Sequence, residues 1–260
     1  MVGHVFAAQL YVDDVNISAI GRVKRIFTMS TWGGMANDRG TDPRRHRPRK
    51  ISTKAAPRAY HHGALKEALL RAAEDILVED GVSGLTLRET ARRAGVSHAA
   101  PKNHFGDLRG LMSELAAVGF QRLAAIMSNA VADADGAEAA MDAIGRAYVN
   151  FARSSPGLFH LMYRSEALDF TRAALIEATS GISGVLKDAV MRRKPARSTG
   201  KGDPRDTVAS MATSWCLVHG FATLLIDQRL TPMLAYMPGD DKVGALLDAI
   251  LAKMKPSRRT

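Results

Sequence analysis

The chain has 260 residues, of which 46% are hydrophobic, so it suits one or two globular domains and excludes a chain that is disordered throughout. Its formal net charge of +10 favours an anionic partner, such as nucleic acid or a membrane surface. One cysteine, Cys216, excludes an internal disulfide and agrees with a reducing cytoplasm, and no run of about 18 apolar residues predicts a membrane span.

Residues 1–58 are basic and show little periodic hydrophobicity. They hold 11 Lys and Arg against 4 Asp and Glu, whereas residues 59–260 hold 25 against 22. Such a segment cannot build a core, so we predict a disordered tail, either an arm that contacts DNA phosphates or a solvated leader that includes an over-extended gene start. Asp13 and Asp14 interrupt its weakly apolar beginning, which argues against a signal peptide. We therefore expect a cytoplasmic protein with no membrane partner.

Helical periodicity begins near Gly63. Apolar residues repeat along one face as far as Leu77, and Gly81 stands at the stop position. This pattern predicts a helix that braces the two short helices that follow it.

The next two predicted helices form a closely spaced pair. Thr86 followed by Glu89 indicates a capping box, which starts a helix near Leu87. Gly95 can adopt the left-handed conformation that ends this helix, and Ser97 can cap the next one at once. Two helices joined by a turn of about three residues have helix-turn-helix geometry.

The second helix of the pair suits the major groove of DNA. Small side chains let its backbone approach the groove, and polar tips can reach phosphates and base edges. Pro101, counted from a cap at Ser97, takes the fourth helical position, where its cost is well below that of a mid-helix proline. His104 either contacts DNA or packs beside Phe105. The predicted DNA-binding residues are Thr86, Arg88, Ser97, His98, Ala99, Lys102, Asn103 and His104.

The rest of the chain is predicted to be helical, because it lacks the alternating runs that strands would need. A basic surface loop is expected between Met191 and Pro204. The predicted helices cover residues 108–133, 137–154, 157–165, 169–191, 205–229 and 239–254.

The helix-turn-helix residues resemble those of a known family. Ala94-Gly95-Val96-Ser97, His104-Phe105 and the residues before them resemble the TetR/AcrR family of bacterial transcriptional regulators. Ser155–Tyr163 and Trp215–Gly220 look like the two signatures of the C-terminal domain named for its Trp-His-Gly motif. The resemblance implies an all-α fold: a three-helix DNA-binding domain at 59–107, then a helical effector-binding and dimerisation domain at 108–254. Tails at 1–58 and 255–260 flank them.

Three positions depart from the family pattern. Lys102 stands where a phosphate-binding tyrosine is usual, although a lysine can still hold a phosphate as a point charge. Asn103 replaces a common arginine and could address an adenine edge. Leu108 replaces a lysine, with Arg109 as the nearest cationic substitute. Residues 59–109 also hold seven cationic and seven anionic side chains, so DNA affinity would depend on the tail or on dimerisation.

An aromatic and methionine-rich set in the C-terminal domain either lines an apolar effector pocket or forms ordinary core. Trp215 and His219 are four residues apart, which places indole and imidazole on one helical face. Cys216 and His219 suggest no enzyme, because no orienting group can be placed beside them. We expect no cofactor and no metal site. The predicted effector-binding residues are Tyr148, Phe159, Met162, Tyr163, Trp215 and His219.

The last two predicted helices are expected to make a two-fold dimer. Apolar stripes from Val208 to Leu225 and from Val243 to Leu251 could merge into a four-helix interface. The favoured function is a repressor that a small apolar effector releases from operator DNA. The alternative is a helical small-molecule-binding protein, or a minor enzyme, whose DNA binding has decayed.

Overall fold

The computed structural model describes residues 59–193 and 203–255, and all regular structure in these ranges is helical, as predicted. The predicted tail at 1–58, most of the loop between 191 and 204, and residues 256–260 lie outside the described residues. The α-helices are α1 Ala59–Gly84, α2 Leu87–Arg93, α3 Ala99–Phe105, α4 Leu108–Ala132, α5 Ala137–Ser154, α6 Pro156–Met162, α7 Ala173–Arg192, α8 Pro204–Ile226, α9 Thr231–Leu234 and α10 Lys242–Lys253; a 3-10 turn spans Ser165–Ala167.

Helices α1 to α3, which we call the N-terminal unit, pack on one another. Helix α1 breaks at Gly81, whose φ of 68° is non-helical, so the predicted stop is correct although helical turns continue to Gly84. The Thr86 hydroxyl accepts a hydrogen bond of 3.1 Å from the Glu89 backbone N–H, which confirms half of the capping box. The Glu89 carboxylate instead binds Arg92 on the next turn. Gly95 ends α2 in the left-handed region, as expected, with a φ of 66°.

The predicted cap at Ser97 is wrong. Helix α3 starts at Ala99 with His98 as its cap residue, and the Ser97 carbonyl accepts a hydrogen bond of 3.0 Å from Ala100 N–H. The turn is therefore one residue longer than the sequence suggested. Pro101 consequently falls at the third helical position, where its missing N–H is one that the helix would have left without an intrahelical partner.

Helix α4 connects the N-terminal unit to the rest of the molecule. The Asp107 carboxylate caps it by accepting a hydrogen bond of 2.7 Å from Gly110 N–H. The helix then packs against α5, α6 and α7 and buries Leu111, Leu115, Phe120 and Leu123. One continuous cluster of buried apolar side chains includes both α1 and the C-terminal helices. The start of α4, next to the helix-turn-helix, is thus fixed to the same core as the C-terminal helices.

The C-terminal helices agree with the predicted spans, apart from shifts of up to four residues at their ends and the short α9, which was not predicted. By length and composition alone, α4 and α8 could cross a membrane, which is weak evidence because α4 is a core helix that packs against five others. The predicted dimer stripe needs correction. Its members Met211, Val218, Ala222, Leu247 and Leu251 are buried within the protomer, because this face of α8 and α10 packs on α5 and its neighbours.

Candidate functional site

Helix α3 is held by one face and exposes the other. Ala100, Pro101 and Phe105 are buried against α1, α2 and α4. The opposite face, which we call the reading face, consists of exposed side chains from the turn and from α3, together with two from the start of α2. The reading face comprises Thr86, Arg88, Ser97, His98, Ala99, Lys102 and Asn103. Seven of the eight predicted DNA-binding residues therefore lie at the surface.

His104 differs from the other predicted contacts. It is half-buried, and its ring centroid lies 6.1 Å from that of Phe105 in a tilted arrangement. Of the two roles that the sequence left open, this geometry favours packing.

Ion pairs engage most of the cationic side chains in the N-terminal unit. Lys66 pairs with Glu114, Arg71 with Glu67, and Arg92 with Glu89. Arg93 joins α2 to α1 through a contact of 2.6 Å with Glu79. Within the described ranges, no acidic side chain forms an ion pair with Arg88 or Lys102, the two cations of the reading face. The two cations of this unit that form no ion pair within the described ranges are therefore both exposed.

The Arg109 guanidinium makes a contact within the protomer, at the position where the sequence suggested a phosphate contact. Its guanidinium donates a hydrogen bond of 2.7 Å to the backbone carbonyl of Leu168, which follows the 3-10 turn. Ser113 extends this connection, since its hydroxyl donates to the Arg109 carbonyl and accepts from Asp169 N–H at 2.8 Å. The first turns of α4 are thus tied to the loop between α6 and α7.

Five of the six predicted effector residues form one aromatic cluster between α5, α6 and α8. The Tyr148 hydroxyl donates to the Tyr163 oxygen at 2.7 Å and lies 2.9 Å from Nδ1 of His219. Trp215 and His219 stack with ring centroids 5.3 Å apart, which confirms that they share a helical face. Phe159 meets Tyr148 edge to face at 5.6 Å. His219 is therefore a hydrogen-bonded histidine within an apolar cluster.

Burial controls ionisation in this cluster. It raises the pKa of Tyr163 to about 12 and that of Tyr148 well above its ordinary value, because a phenolate would lose its hydration. It lowers the pKa of His219, because an imidazolium would lose hydration in the same way. Near neutral pH the cluster is uncharged, and it offers rings and neutral hydrogen-bonding groups.

A cavity opens beside the aromatic cluster, with about 630 Å³ of empty space that includes its opening to solvent. Tyr148 and Trp215 line it, whereas Phe159, Tyr163 and His219 pack around those two, and Met162 is buried in the core. Helices α4, α5, α7, α8 and α10 supply its walls. Lining residues that the sequence did not predict include Met127, Met141, Ile144, Ile182, Leu186 and Leu251.

Cys216 and His219 do not form a reactive pair. Cys216 is exposed on the outer side of α8, whereas His219 is directed toward Tyr148 within the cluster. A nucleophile and its base must lie within hydrogen-bonding reach, and among the described residues the His219 ring nitrogen is bonded to Tyr148 rather than to Cys216.

Comparison with known proteins agrees with this architecture. Residues 141–252 match the family model described as the tetracyclin repressor-like C-terminal domain. The uncharacterized HTH-type transcriptional regulator YobS of Bacillus subtilis (strain 168) is 26% identical over 168 residues, which cover 64% of this chain and 81% of that protein.

Solved structures share the fold. A protein with unknown function from Rhodococcus sp. RHA1 is 36% identical, with a TM-score of 0.59, and the match covers 75% of this chain and 98% of that one. A Shewanella sp. PV-4 protein assigned to the tetR family of transcription regulators has a TM-score of 0.54 at 16% identity, over 73% of this chain and 97% of the other. The helix-turn-helix geometry, the matched C-terminal domain and these relatives lead to one conclusion: the chain is a TetR-like transcriptional regulator.

Proposed function

We propose that this chain is a transcriptional repressor that binds operator DNA as a homodimer and is released by a small apolar effector. The observation that carries the DNA-binding role is the reading face, where the two cations without ion pairs in the described N-terminal unit, Arg88 and Lys102, are exposed together with small and polar side chains. Phosphate contacts orient a protein on the duplex, and base contacts select the sequence. We assign Arg88 and Lys102 to phosphates, and His98, Ala99 and Asn103 to base edges.

Two reading faces are needed for a palindromic operator. Helix α8 leaves Val208 41% exposed and Leu224 46% exposed, which supports this helix as part of the surface that meets a second copy. A two-fold dimer would place two α3 helices in successive major grooves, about 34–36 Å apart.

The effector would occupy the cavity between α5, α7, α8 and α10. We assign the C-terminal domain to the Trp-His-Gly type, in which Trp215 lines the cavity and His219 packs against Trp215. An effector can shift a conformational equilibrium only by its difference in affinity for the two states. Helix α4 supplies a route from the cavity to the helix-turn-helix, because Met127 lines the cavity and the first turn of this helix follows α3. Arg109 and Ser113 hold that first turn to the loop after α6. We further propose a cytoplasmic location, because a DNA-binding regulator acts where the operator lies, and no enzymatic activity.

A gel-shift experiment tests the DNA-binding role. The full chain is titrated against the DNA that flanks its own gene, at two salt concentrations, with heat-denatured protein as a control. The expected result is a discrete retarded complex whose affinity falls as salt rises, because counterions are released from neutralised phosphates. A folded protein that retards no fragment at either salt concentration would instead favour a helical binding module without DNA function.

A further inference from the structure

The cavity differs in polarity between its interior and its rim. Two ion pairs stand among its lining residues: Arg193 Nε lies 2.5 Å from Glu138, and Lys255 Nζ lies 2.7 Å from Asp142. These side chains are partly exposed, at 24% and 46% for the first pair and 44% and 18% for the second. The interior residues Ile144 and Leu186 are only 4% exposed. Charge is therefore confined to the mouth, which we call the rim.

The inner end of the cavity has few hydrogen bonds to offer a ligand. The Tyr148 hydroxyl is already shared between Tyr163 and His219, so this wall presents mainly the ring to the cavity. A polar group placed there without a hydrogen-bonding partner would lose its hydration without compensation, which is unfavourable. An occupant therefore fits best with an apolar body inside and its polar group at the rim.

The rim favours a negative group over a positive one. A guanidinium has five N–H donors in a fork, and Arg193 directs Nε to Glu138 and Nη2 to the Met254 carbonyl, which leaves donors for an added anion. Lys255 likewise has three donors. Arg192 and Lys253, the described cationic residues next to these two in sequence, add to the positive charge here.

We propose that the cavity binds an amphiphile whose apolar body lies among Met141, Ile144 and Leu186. Its single anionic head group, a carboxylate or a phosphate, lies at the rim between Arg193 and Lys255. This inference rests on the proposed function, because the amphiphile would be the effector. It extends that function by defining the chemical class of the ligand.

A series of probes with one alkyl chain and different head groups tests the sign of charge. The chain has two tryptophans, so Trp32→Phe leaves Trp215, which lines the cavity, as the sole reporter of fluorescence. Decanoate, decyl phosphate, decanol and decyltrimethylammonium are titrated below their critical micelle concentrations. The two anions are expected to bind about tenfold more tightly than the ammonium compound, and more tightly than decanol. No binding of either anion, or equal or tighter binding of decanol or the ammonium compound, overturns the proposal. The ratio between the anions identifies the preferred head group.

Two substitutions at the rim give a second test, because they should change decanoate affinity in opposite directions. Arg193→Gln should weaken decanoate binding by about tenfold and leave decanol binding unchanged. Glu138→Gln should tighten decanoate binding several-fold, because it removes a competing carboxylate. Arg146→Gln is the matched control, because Arg146 pairs with Asp248 on the surface and does not line the cavity. If Arg193→Gln fails to fold, Glu138→Gln still decides the matter, since weaker decanoate binding by that variant would contradict the proposal.

Operator binding, measured with the same decanoate, separates this inference from the proposed function. Selective binding of decanoate that leaves operator affinity unchanged supports the anionic site and contradicts control by its occupant. If the protein binds its operator but shows no preference for the anionic probes, the anionic site is contradicted and the DNA-binding function is not.

Discussion

The Arg109 guanidinium donates a hydrogen bond of 2.7 Å to the Leu168 carbonyl, and this contact joins the first turn of α4 to the loop that follows α6. Arg109 stands four residues after Phe105, the last residue of α3. Arg109, which the sequence suggested as a DNA contact, thus joins the start of α4 to the loop between α6 and α7.

Replacing Arg109 tests whether its side chain serves this internal contact with Leu168 or a DNA phosphate. Arg109→Ala should lower the free energy of unfolding by about 1 kcal/mol, measured by urea denaturation, because the Leu168 carbonyl loses a charged donor. The salt dependence of operator binding should stay as in the natural protein. A slope that falls by about one unit per subunit would mean that Arg109 contacts a phosphate in the complex.

Gly110 allows the close approach of three segments, and a methyl group there should disturb it. A Cβ at this position would collide with the Phe105 carbonyl and lie 2.7 Å from Arg172 Nη1. Gly110→Ala is expected to destabilise the protein by about 1–3 kcal/mol through overpacking. Gly184→Ala is the matched control within α7, where an added Cβ meets nothing within 4 Å.

Gly184→Ala, the control, should leave the free energy of unfolding unchanged or raise it by about 0.5–1 kcal/mol, because alanine restricts the unfolded chain more than glycine. Equal effects of the two substitutions on the thermal midpoint would refute the close approach at Gly110.

The lowered pKa of His219 predicts a dependence of stability on pH. Burial disfavours the imidazolium in the folded state, so below an unfolded pKa of about 6.5 the unfolded chain binds a proton more readily than the native one. Stability should therefore fall as pH drops from about 6.5 towards the lowered pKa. His219→Asn cannot titrate, so the stability difference between the natural protein and this variant should shrink in the same interval. A difference that stays constant with pH would show that His219 does not contribute.

The tail at 1–58 should supply part of the electrostatic attraction to DNA. It lies outside the described residues and carries a net charge of +7, from 11 Lys and Arg against 4 Asp and Glu. The described N-terminal unit leaves only Arg88 and Lys102 without ion pairs on the reading face. Deleting residues 1–58 is therefore expected to reduce the slope of log affinity against log salt by about 0.9 for each phosphate that the tail neutralises. An unchanged slope would identify the tail as a solvated leader.

Local patterns predicted the helices well, because caps and glycines act over a few residues. Thr86 and Gly95 take the roles that their chemistry indicates. Ser97 does not, since the chain uses one more residue before α3 begins, and no local signal distinguishes the two starts. Helical spacing also placed Trp215 and His219 together.

Long-range partners could not be predicted from single helices. The contact of Arg109 with Leu168 spans 59 positions, and the cavity takes walls from five helices. Met211 and Val218 form an apolar stripe that fits an interface between subunits as well as a core, and only tertiary packing shows that it is core. Arg193 and Lys255 at the rim gave no sequence signal beyond their charge.

The most direct test of the reading face compares Lys102→Ala with Asn103→Ala on the natural operator and on its single-base variants. Lys102→Ala should weaken binding to all these sequences alike and lower the salt slope by about one unit per subunit, because it removes a phosphate contact. Asn103→Ala should cost about 1–3 kcal/mol on the natural operator and relax the preference at one base pair. If both variants bind every sequence with the affinity of the natural protein, the reading face is not where this protein meets DNA.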